Sequence, residues 1–335
     1  MGEFQDADGA RVVRAGQGGR RDPTGEEGGG GRGRHGHDVR AVLVPRAPPL
    51  PHAAIDGLHA DHRGGAGDRR DGDDAPHDRG EFDLSVGSVL GVSSVTVPWL
   101  MERGWPSTLA IPVAFLVALG IGLLNGFIVN RTQIPSFIVT LGGLFWWRGV
   151  LFAVTRGFPI RVDRGDPGFA PFSTRLAFGF NVSLFWFIAV ALALSFLLVR
   201  TRFGNWVFAT GGNVRAAQQL GIPTHRVKLA LFALTALMAA LAGVIQVGRF
   251  SGVDSLRGSG LELEAIAAAV IGGTRLTGGY GSIAGTALGC LMLGIIQNGL
   301  VLAGIASYWY RAFIGLLIVA VVIVNQRAGR LSPPR

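Results

Sequence analysis

Two stretches of this chain carry no charge over lengths that few soluble folds tolerate. The run from Arg175 to Arg200 encloses only uncharged residues, and so does the run from Arg275 to Arg311. About 20 apolar residues in helical form cross the ~30 Å hydrocarbon layer of a bilayer. In lipid the backbone must satisfy its own hydrogen bonds, so such runs become helices. Eight candidate helices follow from Leu84 onward, at roughly 84–101, 107–129, 134–155, 182–200, 226–248, 262–273, 283–304 and 308–325. The expected fold is all-α: a polytopic transmembrane helix bundle occupying residues 80–327, with a cytoplasmic tail at 328–335.

One of the eight is too short. Residues 262–273 begin with Glu262 and Glu264 and end at Gly272-Gly273, before the glycine-rich "TGGYGS" turn. Such a helix cannot cross a bilayer straight. It is expected to be re-entrant or half-spanning, a form tolerated where it lines a cavity or is covered by protein. Glu264 at membrane depth is a functional candidate, with an interfacial cap as the plain alternative. "TGGYGS" is no nucleotide loop, because it lacks the lysine and the preceding strand.

Charge supplies orientation. The formal net charge is +9, but the arginines flank apolar runs and do not form one soluble basic face. A membrane, not a nucleic acid, is the expected surface. Placing the C-terminal Arg327, Arg330 and Arg335 inside puts 274–282, 201–225 and 130–133 inside, and 249–261 and 156–181 outside. The 201–225 loop fits, with Arg202, Arg215 and His225. The 156–181 loop fits poorly, with Arg156, Arg161, Arg164 and Arg175, and reads as an external feature that meets a partner. Arg148 is expected to snorkel to the outer interface beside Trp146 and Trp147. The single cysteine, Cys290, cannot form an internal disulfide and reads as a packed thiol.

Residues 1–79 are a different composition. They hold six of the seven histidines and little apolar periodicity. At face value they are low-complexity and disordered. No ligand spacing repeats, so no metal is expected, and no early apolar core follows a basic start. A second reading is that the segment is a frame-shifted, non-native translation. With GC-rich codons, "DRRDGDDAPHD" read one base later becomes a membrane-like "IAVTAMTPLMT" running into "GEFDLSVGS".

Polar residues inside the apolar half are the other candidates. Asp83 and Ser85 head the first span, where an acidic residue caps a helix or faces a solute path. Asn125, Thr140 and, in "QNGL", Asn298 lie within spans, as interhelical hydrogen-bonding groups or as solute contacts. Most glycines within spans read as close-packing positions. No Walker motif, catalytic triad, paired carboxylate or metal-ligand cluster appears, and no cofactor is expected. Any work must draw on an ion gradient or on another chain.

Together "GEFDLSVGSVLG", "IPSFIVTLGGLFWWRG", "RTRFGNWVFATGGNVRAAQQLGIPTHRVK" and "AIAAAVIGGTRLTGGYGSIAGTALG" resemble the permease subunits of bacterial ATP-binding-cassette sugar importers, the ribose/xylose/fructose-type branch. The resemblance spans about residues 80–327. It implies a bacterial inner-membrane protein that is not itself an enzyme. The implied partners are an ABC ATPase, a second permease subunit and an extracytoplasmic sugar-binding protein. It further implies that Gly211, Gly212, Asn213, Ala216, Ala217, Leu220, Gly221 and Ile222 form a cytoplasmic element that docks on the ATPase. Asn213 suits an N-cap and Gly221 a left-handed C-cap, and Ala216, Ala217 and Leu220 are expected to share one docking face. The implied mechanism is alternating access for a pentose or hexose, with Asp83, Ser85, Asn125, Thr140, Glu264 and Asn298 as path candidates. Rival readings are an ion-coupled secondary transporter, an inactive product of a disrupted permease gene, and a branched-chain amino-acid permease.

Overall fold

The computed structural model describes residues 80–331, apart from 164, 177–178 and 307. The readings made for residues 1–79, for Arg164 and for 332–335 lie outside the described residues. In chain order the helices are α1 (Val86–Met101), α2 (Ser107–Thr132), α3 (Ser136–Thr155), α4 (Ala170–Ser173), α5 (Ser183–Arg200), α6 (Arg202–Gly212), α7 (Val214–Gln219), α8 (Thr224–Phe250), α9 (Leu261–Ile271), α10 (Ile283–Leu302) and α11 (Tyr308–Leu331). Five of them, α2, α3, α5, α8 and α10, are long and apolar enough to cross a membrane, and α1 and α11 contribute shorter apolar helices. The all-α bundle expected from the sequence is what forms. Among the described residues it is joined by a two-residue antiparallel pair, β1 (Ile160–Arg161) with β2 (Gly252–Val253), in register Ile160↔Val253. Helix α11 runs on to Leu331, so the start of the expected 328–335 tail is helical.

Helix α1 is the centre of the main body. Its sequence, VGSVLGVSSVTVPWLM, is small on nearly every side, and most of its residues are buried. Small residues let helices approach closely in lipid, where hydrophobic burial does not drive association. Gly243 of α8 sits against Ser94, and Gly122 of α2 against Ala236 and the Phe232 backbone of α8. Two serine hydroxyls are satisfied within α1 itself, Ser93 Oγ donating to Val89 O at 2.6 Å and Ser94 Oγ to Leu90 O at 2.7 Å, while Ser88 Oγ donates across to Leu144 O of α3. Valines, alanines and leucines of α1, α2 and α8 complete one continuous core.

A second, smaller core joins Ala267 and Ala268 of α9 to Leu293 of α10 and Tyr310 and Ile314 of α11. Here too the seam is glycine. Gly285 of α10 lies against the Gly272 backbone, and Gly289 against the Ala268 carbonyl. Helix α5 has no buried residue at all; it is held near its start by Trp186, which stacks on Phe172 with centroids 5.7 Å apart and donates to Pro171 O. Cys290, expected to be packed, is exposed on α10.

The loops make contacts in two groups. At one end, called inner, Glu81 pairs with Lys228, Asn130 Nδ2 donates to His225 O, and Gly278 meets Gly211. At the other, Ser107 Oγ donates to Asp166, and β1 ties the 156–181 segment to the 249–260 segment.

Candidate coupling element and solute path

The inner loop between α5 and α8 folds into two short helices at an angle. Thr201 starts α6, its Oγ1 accepting from Gly204 N. A helix here is not expected of a loop at 201–225; the threonine before the amphipathic "RFGNWVFATGG" is the sequence signal for it. Asn213 ends α6 and begins α7, its Oδ1 accepting from Ala216 N at 2.9 Å, the cap expected of it. Gly221 follows the last turn with φ +79°, where a side chain would be strained, and Ile222 N closes the turn on Ala217 O.

The face of α7 differs from expectation. Ala217 is buried at 2% exposure, whereas Leu220 is 80% exposed. Neighbours i and i+1 stand about 100° apart on a helix, and Ala217 takes the inward side. Ala216 and Leu220, four residues apart, form the outward face. Gly211 and Gly212, at the end of α6, abut Gly279; a methyl group built on Gly211 would stand 3.0 Å from Gly279 N.

Four path candidates come together in one buried clasp. Ser85 donates through both N and Oγ to Asp83 Oδ1, at 2.9 and 2.6 Å. Asn125 Nδ2 donates to Ser85 Oγ at 2.9 Å. Thr140 Oγ1 accepts from Leu84 N and donates to Ser136 O at 2.8 Å, and Ser136 Oγ accepts from Phe82 N. Gly143 borders the clasp: a methyl group built on it would stand 3.4 Å from Ser85 Cβ and 3.5 Å from Asn125 Oδ1. Residues 80–85 are thereby pinned to α2 and α3. Burial raises the Asp83 carboxyl above its ordinary range, and the two bonds from Ser85 pull against the rise. Asp83 accepts from Ser85 N just ahead of α1, whose N-cap, Ser85, makes no side-chain capping bond.

Glu264 stands apart from the clasp. It lines a cavity of about 290 Å³ with Gln246, Asp254, Arg257 and Ser259. The cavity opens at the start of α9, the half-length helix. Eleven residues rise about 16 Å, half of a bilayer core. The loop before it dips into the bundle: Gly258 and Glu262 lie against Gly87, and the Arg257 carbonyl against Gly91, in the first half of α1 rather than at its outer end. Arg148 holds that dip in place. Its Nη1 donates to Ser255 O at 3.0 Å and Arg257 O at 2.9 Å. The snorkelling expected of Arg148 is replaced by this inward staple, because two loop carbonyls without helical partners are within reach. Trp146 remains outward and exposed, while Trp147 packs on the core. Asn298 lies exposed on α10 and joins neither group. Among the described residues no group of three His, Cys, Asp or Glu side chains could hold a metal ion.

Comparison with known proteins decides the family. Residues 79–322 match the family described as branched-chain amino acid transport system / permease component. The chain belongs to this permease family. The permease is 36% identical over 246 residues to the autoinducer 2 import system permease protein LsrC of Yersinia enterocolitica, covering 73% of this chain and 68% of that one. It is 34% identical over 248 residues to the ribose import permease protein RbsC of Escherichia coli K12, covering 73% and 77%. With the ribose import permease of Haemophilus influenzae the identity is 34% over 251 residues, covering 74% and 77%. No solved structure matches the permease. Five long apolar helices and this kinship make it a multi-pass membrane permease of the ABC sugar-import type.

Proposed function

We propose that the chain is the membrane-spanning subunit of an ATP-driven importer for a monosaccharide, a pentose or hexose, in the bacterial inner membrane. A separate ABC ATPase supplies the energy, and an extracytoplasmic sugar-binding protein delivers the solute near the 156–181 segment. A second copy of the chain completes the pathway. The named relatives supply the class of solute. The single observation that carries the coupling is Leu220: a large apolar side chain, 80% exposed, at the tip of a capped helix on the inner side. The packing among the described residues leaves it uncovered, and an apolar cleft on an ATPase would cover it. Ala216, on the same face, and the bracketing Gly211, Gly212, Asn213, Gly221 and Ile222 shape that element, and Ala217 anchors it from behind.

Glu264, with Asp254, Arg257 and Gln246, forms the solute-facing part of this reading. Carboxylate, guanidinium and amide groups match the paired hydroxyls of a sugar, and the cavity sits where half-helices bound solute sites in other transporters. In the clasp Asp83, Ser85 and Asn125 satisfy one another and Thr140 holds the Leu84 backbone beside them, which supports a role in shaping the inner wall of the path.

Co-purification with its ABC ATPase tests the coupling. Leu220→Asp should lose at least ten-fold of the associated ATPase, while the amount of inserted permease stays unchanged. Equal recovery of the ATPase by the wild type and by Leu220→Asp would remove the coupling assignment.

A further inference from the structure

We infer that the glycine-rich turn between α9 and α10 carries the movement of the docked element to half-helix α9, with Gly278 and Gly279 as positioning residues. The inference rests on the proposed docking of α7 and names the next contact inward.

The contact is backbone on backbone. A methyl group built on Gly278 would fall on the Gly211 carbonyl oxygen. One built on Gly279 would stand 2.8 Å from Gly212 Cα. Two side chains in contact can change rotamer and absorb a displacement; two peptide units in contact cannot. The seam therefore passes a push between α6 and the turn directly.

The turn is itself stiff and continuous with α9. Arg275 N donates to Tyr280 O at 3.0 Å, and Gly278 N to Arg275 O at 3.1 Å. The Arg275 guanidinium lies over the Tyr280 ring, 5.4 Å from its centroid. Thr274 N donates back to Ala269 O in the last turn of α9 at 2.9 Å. Beyond the turn, Gly272–Gly285 and Ala268–Gly289 fix α9 on α10. A displacement entering at Gly278 leaves at the other end of α9, where Glu264 and the loop at 254–260 surround the cavity. The inner handle and the cavity are so joined by one short rod, without passing through the buried core around α1.

A cysteine-accessibility experiment tests this on the full chain in nanodiscs with its ABC ATPase. Leu263, exposed on α9, is replaced by cysteine in a Cys290→Ser background. The rate of modification by a water-soluble maleimide is measured with and without ATP and vanadate. Two further variants separate contact from strain. Gly278→Ala and Gly273→Ala both place alanine at positive φ, +83° and +86°. The methyl at 278 meets Gly211, whereas the methyl at 273 has nothing within 4 Å. The expected result is a several-fold ATP-dependent rate change in the parent and in Gly273→Ala. Gly278→Ala should lose that response while keeping both bound ATPase and ATP hydrolysis. If Gly278→Ala fails to insert, Gly279→Ala reads the same seam. The inference is overturned by a response that survives in Gly278→Ala, by equal loss in Gly273→Ala, or by release of the ATPase from Gly278→Ala. Failure of the parent itself to bind the ATPase would instead sink the docking proposal, and this inference with it.

Discussion

Thr140 shows how a single hydroxyl can hold two elements together in lipid. It accepts from Leu84 N and donates to Ser136 O, with the Phe82 carbonyl also within 3.2 Å. Valine has nearly the same shape but neither bond, and would leave the buried Leu84 N–H without a partner. Thr140→Val should therefore lower stability by about 1–3 kcal/mol, the cost of an unsatisfied buried donor. Thermal unfolding in detergent checks this, and ATPase association should be unaffected, since the clasp lies apart from Leu220. The sequence marked Asp83, Ser85, Asn125 and Thr140 as polar groups in apolar surroundings, and that much was legible. That Asp83, Ser85 and Asn125 bond to one another, with Thr140 holding the adjacent backbone at Leu84, was not, because the pairing depends on which faces of α2 and α3 meet residues 80–85. The same gap explains Ala217. Its helix and cap were readable from Asn213 and Gly221, but which side of a six-residue helix turns inward is set by α8.

Among the elements, the spans were the readable part: each expected segment has a helix within a few residues of its limits, and the short one at 262–273 proved to be a half-length helix. Hydropathy and glycine breaks carry that information directly. The dip of the loop before α9 was not readable. "SGVDSLRGSG" has no feature that distinguishes a loop folded into the bundle from one left at the surface. The decisive contact is made by Arg148, more than a hundred positions away in the chain. Arg148→Leu removes the donor to both loop carbonyls. It should leave insertion and ATPase binding intact and reduce solute uptake at least ten-fold, because the start of α9 loses its seat. Measured uptake against the amount of inserted protein separates this from simple instability. Normal uptake would show that the staple is dispensable.

For the molecule as a whole, two glycine-seamed bodies are the main architectural fact: one around α1, α2, α3 and α8, the other around α9, α10 and α11. In both, small residues let the helix backbones approach closely, the packing that holds helices together in lipid. The two sets of loops lie at opposite ends, with the proposed handle at one and the proposed receiving surface at the other. Helix α5 has no fully buried residue within the single chain.

Uptake into proteoliposomes is the most direct test that this gate is driven from outside itself. The vesicles would contain the permease and its ABC ATPase, with the sugar-binding protein and a panel of labelled pentoses and hexoses. Accumulation of one of them should require ATP on the inner side and persist when ionophores collapse every ion gradient. Accumulation that needs no ATPase, and stops when the gradients are collapsed, would contradict the account.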